Sequence, residues 1–313
     1  MNTAELLDLT RAILAQPTAP FHEDAVRAEI TMQLAQLPSV TLEQDDFGNV
    51  IACYRGCSDH AEYAFAAHMD HPGFVGDEFL GSVPEAHRQN GTKRDFGAFA
   101  MWDLPAFEVR DGRIYSRACD DLVGCAAIVA LFRDLERLGA EATVYGLFTR
   151  AEEVGFVGAI QLAKTGRIPR DLTIVSLETS SERAPGAGRM GEGVIIRVGD
   201  RTSIFDDSAT AALVQAATAA KLPFQRCLMS GGTCEATAYQ LYGYRSAALC
   251  VALGNYHNCG PDTQIASEFV SIDDVEGLVK LMLFAATNES AADPHRALRD
   301  KLEARMVSYE RYF

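Results

Sequence analysis

The chain has 313 residues, 48% of them hydrophobic and 23% charged, with a formal net charge of −15 at pH 7. This composition is typical of a globular protein that holds one large domain, or a large domain with a small companion. The acidic balance, without any cluster of lysine or arginine, excludes nucleic acid from the expected partners, because phosphate binding needs a basic face. No apolar run reaches membrane-span length and no signal peptide precedes the first helix, so we expect a cytoplasmic protein without a membrane partner.

The first 68 residues predict two helices followed by three strands. Apolar residues recur at three- and four-residue spacing over 4–16 and 23–37, which is the period of an α-helix. The segment "VTLEQDDFGNVIACY" predicts two strands around a turn at 45–49, where aspartate, glycine and asparagine favour a reversal. The run "EYAFAAH" does not alternate, so it predicts a strand buried on both faces.

From residue 119 onward, strands and helices alternate along the chain. Predicted helices cover 119–138, 157–164, 206–220, 233–243, 271–288 and 293–313. Predicted strands cover 142–149, 171–178, 192–200, 223–228 and 245–253. This alternation predicts an α/β fold, a three-layer sandwich in which helices cover both faces of a mostly parallel central sheet.

One segment interrupts this pattern. Residues 72–116 carry glycines and prolines and contain "FEVRDGRIY", in which Asp111-Gly112 is typical of a tight hairpin turn. We therefore divide the chain into a main domain, residues 1–72 and 113–313, and a small inserted subdomain, residues 73–112.

Polar side chains follow the predicted strands at the edge where a parallel sheet gathers its ligands. These candidates are His68, Asp70, Asp120, Asp121, Glu152, Glu153, Glu178 and His257. Carboxylates crowded at one edge repel one another unless a cation lies between them, so a bound metal ion is the simplest explanation. Imidazole and carboxylate ligands without thiolate are typical of zinc, cobalt or manganese.

Each motif also has a simpler interpretation when it stands alone. The H-x-D sequence at His68 is most often a turn, Asp120 and the aspartate after it can cap a helix, and Glu152-Glu153 can begin an exposed helix. His71, followed by proline and glycine, is interpreted as a turn residue rather than a ligand. The occurrence of several such motifs at strand ends favours a shared site.

The motifs "HMD", "CDD", "EEVG", "LE" and "YH" occur in one order along the chain, together with "DDFGNVIA" and "GGTCEATAYQLYG". In this order they resemble the co-catalytic metallopeptidases of the M42, M28 and M20 families, and most closely the M42 glutamyl and leucyl aminopeptidases. The resemblance covers nearly the whole chain outside residues 75–112. It implies a zinc-exopeptidase-like fold and a hydrolase that acts on peptide bonds.

The resemblance also implies a role for each candidate. The implied metal ligands are His68, Asp120, Glu153, Glu178 and His257. Asp120 would bridge two divalent ions, and its peptide bond to Asp121 would be cis. Asp70 would orient the ring of His68, and Glu152 would be the general base that takes a proton from a water between the ions. Zinc is the expected metal, with cobalt and manganese as alternatives.

The implied activity is that of an aminopeptidase that removes N-terminal residues from short peptides. Gly231, Gly232 and Thr233, in the glycine-rich stretch, would bind the peptide. Cys234 in this stretch stands where the family often has an acidic residue. The segment after His68 is shorter than the dimerisation domain that the family carries there, and a homodimer or a higher homo-oligomer is the implied assembly.

Two alternatives stay open at this point. Aminopeptidases of the family usually have aspartate where Glu178 stands, whereas M20 enzymes often have glutamate, so the chain can also be interpreted as an N-acyl amino acid deacylase or a carboxypeptidase. A protein on the same scaffold that binds metal or peptide without catalysis is the second alternative. The presence of Glu152 favours an enzyme.

Overall fold

The structure of the protein, a computed structural model, describes residues 1–183, 186–288 and 293–313. The α-helices in these ranges are α1 (Thr3–Leu14), α2 (Asp24–Leu34), α3 (Glu85–Arg88), α4 (Leu122–Leu138), α5 (Val157–Thr165), α6 (Asp207–Ala219), α7 (Glu235–Leu241), α8 (Ile272–Thr287) and α9 (Arg296–Val307). The β-strands are β1 (Val40–Gln44), β2 (Val50–Arg55), β3 (Ala61–His68), β4 (Gly73–Val75), β5 (Glu78–Leu80), β6 (Lys93–Asp95), β7 (Phe99–Trp102), β8 (Glu108–Arg110), β9 (Arg113–Ser116), β10 (Thr143–Thr149), β11 (Thr173–Ser181), β12 (Val194–Gly199), β13 (Phe224–Leu228), β14 (Arg245–Leu253) and β15 (Glu268–Ser271).

The central sheet has eight strands in the order β1-β2-β10-β3-β11-β14-β12-β13. Its middle strands β10, β3, β11 and β14 are parallel to their neighbours within this group. An antiparallel strand borders this parallel group on each side. Strand β2 runs antiparallel to β10, and β12 runs antiparallel to β14. The predicted α/β fold with a mostly parallel central sheet is confirmed.

Alternate residues of the inner strands face two different hydrophobic cores, one on each side of the sheet. Phe65 and Ala67 of β3 belong to the larger core, which α1, α2, α4, α6 and α8 cover. Ala64 and Ala66 belong to the smaller core, which α5 and α7 cover. Burial on both faces explains why the sequence of β3 is apolar without alternation.

Helix α4 lies at the centre of the larger core. Thirteen of its 17 residues are buried. The Asp121 side chain caps its first turn by accepting the Gly124 N–H at 3.2 Å. The helix ends at Gly139, whose φ of 58° lies in the left-handed region that glycine adopts readily. The helix is thus fixed at both ends, and the Asp120–Asp121 bond at its start is cis.

The segment between His68 and α4 forms two small sheets. Strands β5, β4, β7 and β6 make the first, which lies entirely within the predicted insertion. Strands β8 and β9 form the predicted hairpin, with φ of 50° at Asp111 and 71° at Gly112, as a primed turn requires. Strand β9 also pairs with β15, a strand that the sequence did not predict. The hairpin of β8 and β9 spans the expected boundary at 112/113.

In the described ranges, no helix combines the length and the apolar character that crossing a bilayer requires.

Replacing Phe132 of α4 by alanine should lower the free energy of unfolding by about 3–5 kcal/mol. The Phe132 ring is fully buried in the larger core, so its removal leaves a cavity that the sheet above cannot close. Urea denaturation followed by circular dichroism measures the change. Leu138→Ala, at a side chain that is 63% exposed near the end of the same helix, is the matched control and should cost under about 0.5 kcal/mol. Equal losses for the two variants would contradict this assignment of the core.

Candidate metal centre

The sequence-predicted ligands lie together at the carboxyl edge of the parallel strands. His68 is the last residue of β3, Glu152 and Glu153 follow β10, and His257 follows β14. Asp120 stands in the loop before α4. Glu178 lies within β11 rather than at its end, because 179–181 continue to pair with β14. The topology therefore brings five distant chain segments to one place.

Three groups of these side chains have ligand atoms that all lie within 4.8 Å of one another. The groups are His68–Asp120–Glu178, Asp120–Glu153–His257 and His68–Glu152–Glu153. Asp120 stands between the two histidines, with Oδ1 3.5 Å from His68 Nε2 and Oδ2 3.5 Å from His257 Nε2. Glu153 Oε1 is 3.2 Å from the same His257 nitrogen. Each oxygen of Asp120 thus faces a different half of the cluster, as a bridging carboxylate must.

Buried oxygens without donors provide the test of whether a cation fits. Asp120 Oδ1, Glu153 Oε1 and Glu178 Oε1 are buried and have no hydrogen-bond donor among the described residues. An unsatisfied buried carboxylate oxygen is costly unless it is protonated or coordinates a metal. Two imidazoles with carboxylates are a donor set that divalent ions of the zinc type accept. The cluster therefore has the composition of a divalent-metal site.

Hydrogen bonds on the far side of each histidine point its Nε2 into the cluster. His68 Nδ1 is 3.0 Å from the carbonyl oxygen of Asp70, and His257 Nδ1 is 2.9 Å from that of Ser82. A ring that donates from Nδ1 to a carbonyl keeps Nε2 free to accept a metal. Ser82 belongs to the predicted insertion, so this segment contributes to the orientation of His257.

The Asp70 carboxylate mainly holds the loop that carries the two glutamates. It accepts the N–H groups of Glu152 at 2.9 Å and Glu153 at 3.1 Å, whereas it lies 3.5 Å from His68 Nδ1. The sequence predicted an interaction of Asp70 with the ring of His68, and the shorter contact there is made by the Asp70 backbone. Asp70 therefore connects the His68 loop to the Glu152 loop.

Charge crowding shifts the proton affinities of the cluster. Burial opposes a charged imidazole, yet nearby carboxylates, led by Glu152, raise the pKa of His68 well above 6.5. Burial, with Asp120 beside it, raises the pKa of Glu178 to about 8. Despite burial, His257 and His68 hold the pKa of Asp120 below its usual range. Protons and a metal ion would therefore compete for these side chains.

A pocket of about 290 Å³ opens beside the cluster. Its wall includes Glu178 on one side and the predicted substrate-binding residues Gly231, Gly232 and Thr233 on the other. Tyr256 also lines it and stacks on the His257 ring with centroids 3.8 Å apart. The glycine-rich stretch is thus placed next to the candidate metal ligands.

A family model described as M42 glutamyl aminopeptidase matches residues 86–281, more than half of the chain. The chain belongs to this M42 family. A protein of Acetivibrio thermocellus named "Putative aminopeptidase" is 28% identical over 178 residues, which are 55% of this chain and 51% of that relative. The chain thus spans about half the length of this curated relative.

Solved structures of peptidases share the M42 fold of this chain. A TET1 peptidase of Pyrococcus horikoshii, which can assemble into a tetrahedron or a large octahedral shell, has a TM-score of 0.76 and 21% identity over 92% of this chain and 100% of its own. A TET aminopeptidase of a marine-sediment Thaumarchaeota archaeon has a TM-score of 0.77 and 19% identity over 91% and 97%. The aminopeptidase APDkam598 of Desulfurococcus kamchatkensis has a TM-score of 0.74 and 20% identity over 94% and 96%.

Glu268 of this M42 chain is a buried residue of the site that sequence reasoning missed. Its fully buried carboxylate accepts three backbone N–H groups, those of Cys119 at 2.7 Å, Asp120 at 3.1 Å and His257 at 2.8 Å. The φ of His257 is 51°, a left-handed conformation that is unfavourable for a non-glycine residue and needs such external support. One carboxylate thereby fixes two ligand-bearing loops.

His71, which the sequence predicts to be a turn residue rather than a ligand, is buried. Its Nδ1 lies 2.8 Å from the Asp120 carbonyl oxygen and its Nε2 lies 3.1 Å from Asn258 Oδ1. The local sequence His71-Pro-Gly is typical of a turn, but the packing of two distant loops encloses it. The structure places His71 behind the cluster, bound to the backbone of a candidate ligand.

The acidic side chain of the glycine-rich stretch is Glu235, one residue after Cys234. Cys234 is a buried thiol, whereas the Glu235 carboxylate accepts the Thr149 hydroxyl at 2.6 Å. Burial raises the pKa of Glu235 to about 7. This stretch therefore still carries an acidic side chain, at Glu235, although position 234 is a cysteine.

The metal-free protein should lose stability as pH rises from about 6 to about 8. The pKa of Glu178 is raised from 4.5 to about 8, and the pKa values of His68 and His257 are also raised, so the folded state binds more protons than the unfolded state in this range. Stability then falls with pH, by an amount on the order of 1–3 kcal/mol, or about 2–6 °C in Tm.

Differential scanning fluorimetry in a chelator, across this pH range, measures the slope. Adding Zn²⁺ should stabilise the protein more at the alkaline end, where fewer protons compete for the ligands. Glu178→Gln, which cannot titrate, is the matched control and should flatten the metal-free slope. A metal-free Tm that rises with pH would contradict this account of the cluster.

Glu268→Gln should weaken metal binding by about 10–100-fold, because an amide cannot accept from all three N–H groups and both ligand loops loosen. Competition against a chromophoric chelator measures the affinity. Glu192→Gln, at an exposed side chain outside the cluster, provides the control. Unchanged affinity in the first variant would show that the loops hold their geometry without Glu268.

Proposed function

We propose that this M42 protein is a dinuclear-metal-dependent aminopeptidase that removes N-terminal residues from short peptides. The observation that supports this most directly is the position of Asp120, one oxygen toward His68 and the other toward His257. Such a carboxylate serves two ions at once, which a mononuclear site does not need. The M42 family match and the aminopeptidase names of its relatives favour this activity over the deacylase, carboxypeptidase and silent-binder alternatives.

In this proposal each ion has its own ligands on either side of Asp120. His68 and Glu178 complete one group, and Glu153 and His257 complete the other. Zinc is the proposed metal, with cobalt or manganese able to occupy the same oxygen and nitrogen ligands. Bound divalent ions lower the pKa of water and polarise a carbonyl oxygen, which is the chemistry that peptide hydrolysis requires.

Glu152 is the proposed general base. Burial and then the carboxylates of Glu178 and Glu153 raise its pKa well above 4.5, which makes its side chain a better proton acceptor than an ordinary carboxylate. The Asp70 carboxylate fixes its backbone N–H at 2.9 Å. Glu152 would accept the proton of the attacking water and transfer it to the leaving amine.

A partly buried ion pair holds the loop that carries Glu152. Arg150 Nε donates to Glu23 Oε2 at 2.6 Å, and Ala151 N–H donates to Glu23 Oε1 at 3.0 Å. Arg150 therefore pairs with the start of α2, outside the ligand cluster. This anchoring keeps Glu152 at one position relative to His68 and Glu153.

We also propose that the protein is a cytoplasmic homo-oligomer, at least a dimer. All eight cysteines are free thiols, which a reducing compartment maintains. The Pyrococcus horikoshii TET1 peptidase assembles into larger shells. Light scattering after size exclusion determines the number of subunits, and a strictly monomeric protein would exclude this assembly.

Assays on two substrate sets test the activity. Aminoacyl-p-nitroanilides should be hydrolysed after the chelator-treated protein is supplied with zinc, cobalt or manganese, and N-acyl amino acids should not. Release from the acylated set alone would refute the aminopeptidase proposal. An anomalous-scattering map should show two metal peaks about 3.5–4 Å apart.

Glu152→Gln should lower kcat by about 10²–10⁴-fold while leaving the metal content unchanged. Glutamine keeps the size of the side chain but cannot carry the proton. Turnover is measured on an aminoacyl-p-nitroanilide, and metal content by elemental analysis of the same sample. Near-normal turnover with full metal occupancy would mean that another group is the base.

A further inference from the structure

Asn258, the residue after His257, has a buried side chain that the proposed chemistry does not use. It is only 1% exposed, and its φ of 60° lies in the left-handed region. Asparagine adopts this conformation more readily than most residues, which is one reason for an asparagine at this position. The contacts of its amide group give the side chain a second role.

The Asn258 amide reaches the loop that carries Asp120. Nδ2 donates at 3.1 Å to the carbonyl oxygen of Arg117, three residues before Asp120. Oδ1 lies 3.1 Å from His71 Nε2, and the other nitrogen of that ring, Nδ1, lies 2.8 Å from the Asp120 carbonyl oxygen. The side chain is therefore linked to the Asp120 loop both directly and through His71.

Both polar atoms of this amide have partners. Nδ2 donates to the Ala266 carbonyl oxygen at 3.3 Å as well as to that of Arg117, so both of its hydrogens are used. These two bonds identify the nitrogen end of the amide, and they leave Oδ1 facing His71. Removing such an amide is costly, because each lost contact leaves a buried polar group unpaired.

The two halves of the candidate metal centre differ in how their ligands are held. His68 and Glu178 lie in β3 and β11, so the hydrogen bonds of the central sheet fix their backbones. Glu153 and His257 lie in the segments that follow β10 and β14. The positions of this second pair therefore depend on contacts that side chains make with the two segments.

The segment that carries His257 has a backbone that needs such contacts. Asn255, His257 and Asn258 have φ values of 53°, 51° and 60°, and conformations of this kind persist only where the surroundings hold them. Glu268 accepts the His257 N–H at 2.8 Å. Without the Asn258 amide, His257 would keep that contact but lose the side-chain link from the next residue to the Asp120 loop.

We propose that Asn258 is a positioning residue for the half of the metal centre that Asp120, Glu153 and His257 form. This inference rests on the proposed two-ion function and deepens it. By joining the His257 segment to the Asp120 loop, Asn258 fixes two ligands of the same ion relative to each other. The other ion depends on Asn258 less, because β3 and β11 hold two of its ligands.

Titration of the metal-free protein with Co²⁺, followed by visible absorbance and by calorimetry, tests this role without turnover. Wild-type protein should bind two ions per chain. Asn258→Gly removes the amide but still allows the left-handed backbone. It should weaken the binding of one ion by about 10–100-fold and leave the affinity for the other within about twofold. The absorbance should then level off near one equivalent of Co²⁺ instead of two.

Asn258→Asp is a second variant, which keeps the shape of the side chain and replaces the donor nitrogen by an oxygen. An added negative charge by itself attracts a cation. Weaker binding of the same ion in this variant would therefore come from the lost donor, whereas wild-type affinity for both ions would refute the role of the amide.

The matched control is Asn255→Gly, the same substitution at another left-handed asparagine of the same segment. Asn255 Nδ2 donates to the Ser267 carbonyl oxygen at 2.8 Å rather than to the Asp120 loop. This variant should bind both ions with wild-type affinity. A loss equal to that of Asn258→Gly would assign the effect to the backbone of the segment and refute the inference.

Turnover of leucyl-p-nitroanilide gives a further readout. Asn258→Gly should lose activity at limiting Co²⁺ and regain most of it at high Co²⁺, because excess metal refills the weakened half of the centre. A loss of activity that does not respond to the Co²⁺ concentration would contradict a positioning role.

The outcomes distinguish this inference from the function beneath it. Two ions in wild-type protein, with unchanged affinities in both Asn258 variants, would refute the positioning role and leave the two-ion function intact. Equal weakening of both ions would refute the assignment of Asn258 to one half of the centre. A wild-type protein that binds a single ion would refute the two-ion function, and the inference with it.

Discussion

Negative charge buried at one edge of the central sheet is the constraint on which the rest of the structure depends. Asp120, Glu152, Glu153 and Glu178 converge there, and three of their oxygens have no hydrogen-bond donor among the described residues. Protons can relieve this repulsion, as the raised pKa of Glu178 shows, but cations relieve it with fixed geometry. The crowding of carboxylates that is unfavourable by itself therefore favours the binding of a divalent metal ion.

Holding such a cluster in place requires support from residues that do not face it. Asp70 and Glu268 each use a carboxylate to fix backbone N–H groups, and Glu23 accepts the Ala151 N–H together with the side chain of Arg150. These three residues join loops that are far apart in the chain. The positions of the candidate ligands therefore depend on loops whose backbones are held by buried carboxylates, at the edge of a mostly parallel sheet.

The fold and the candidate metal ligands could be predicted because the sequence patterns that indicate them lie within short segments of the chain. The apolar run of β3 and the polar residues after it place His68 at a strand end, and periodicity reveals α4 behind Asp120. Glu268 could not be found in this way, since it lies 148 residues from Asp120 in a short strand of mixed polarity. The burial of His71 could not be predicted, because a turn-like sequence does not reveal what packs over it.

The contact between the Ser82 carbonyl and His257 has a consequence for how this protein can vary. Ser82 belongs to the segment between His68 and α4, whereas His257 follows the last strand of the parallel group. The segment is therefore no detachable appendage, because shortening it past Ser82 would release the ring whose Nε2 faces the cluster. Evolution could shorten or extend this segment at its outer turns, but the Ser82 end is tied to a residue of the candidate metal centre.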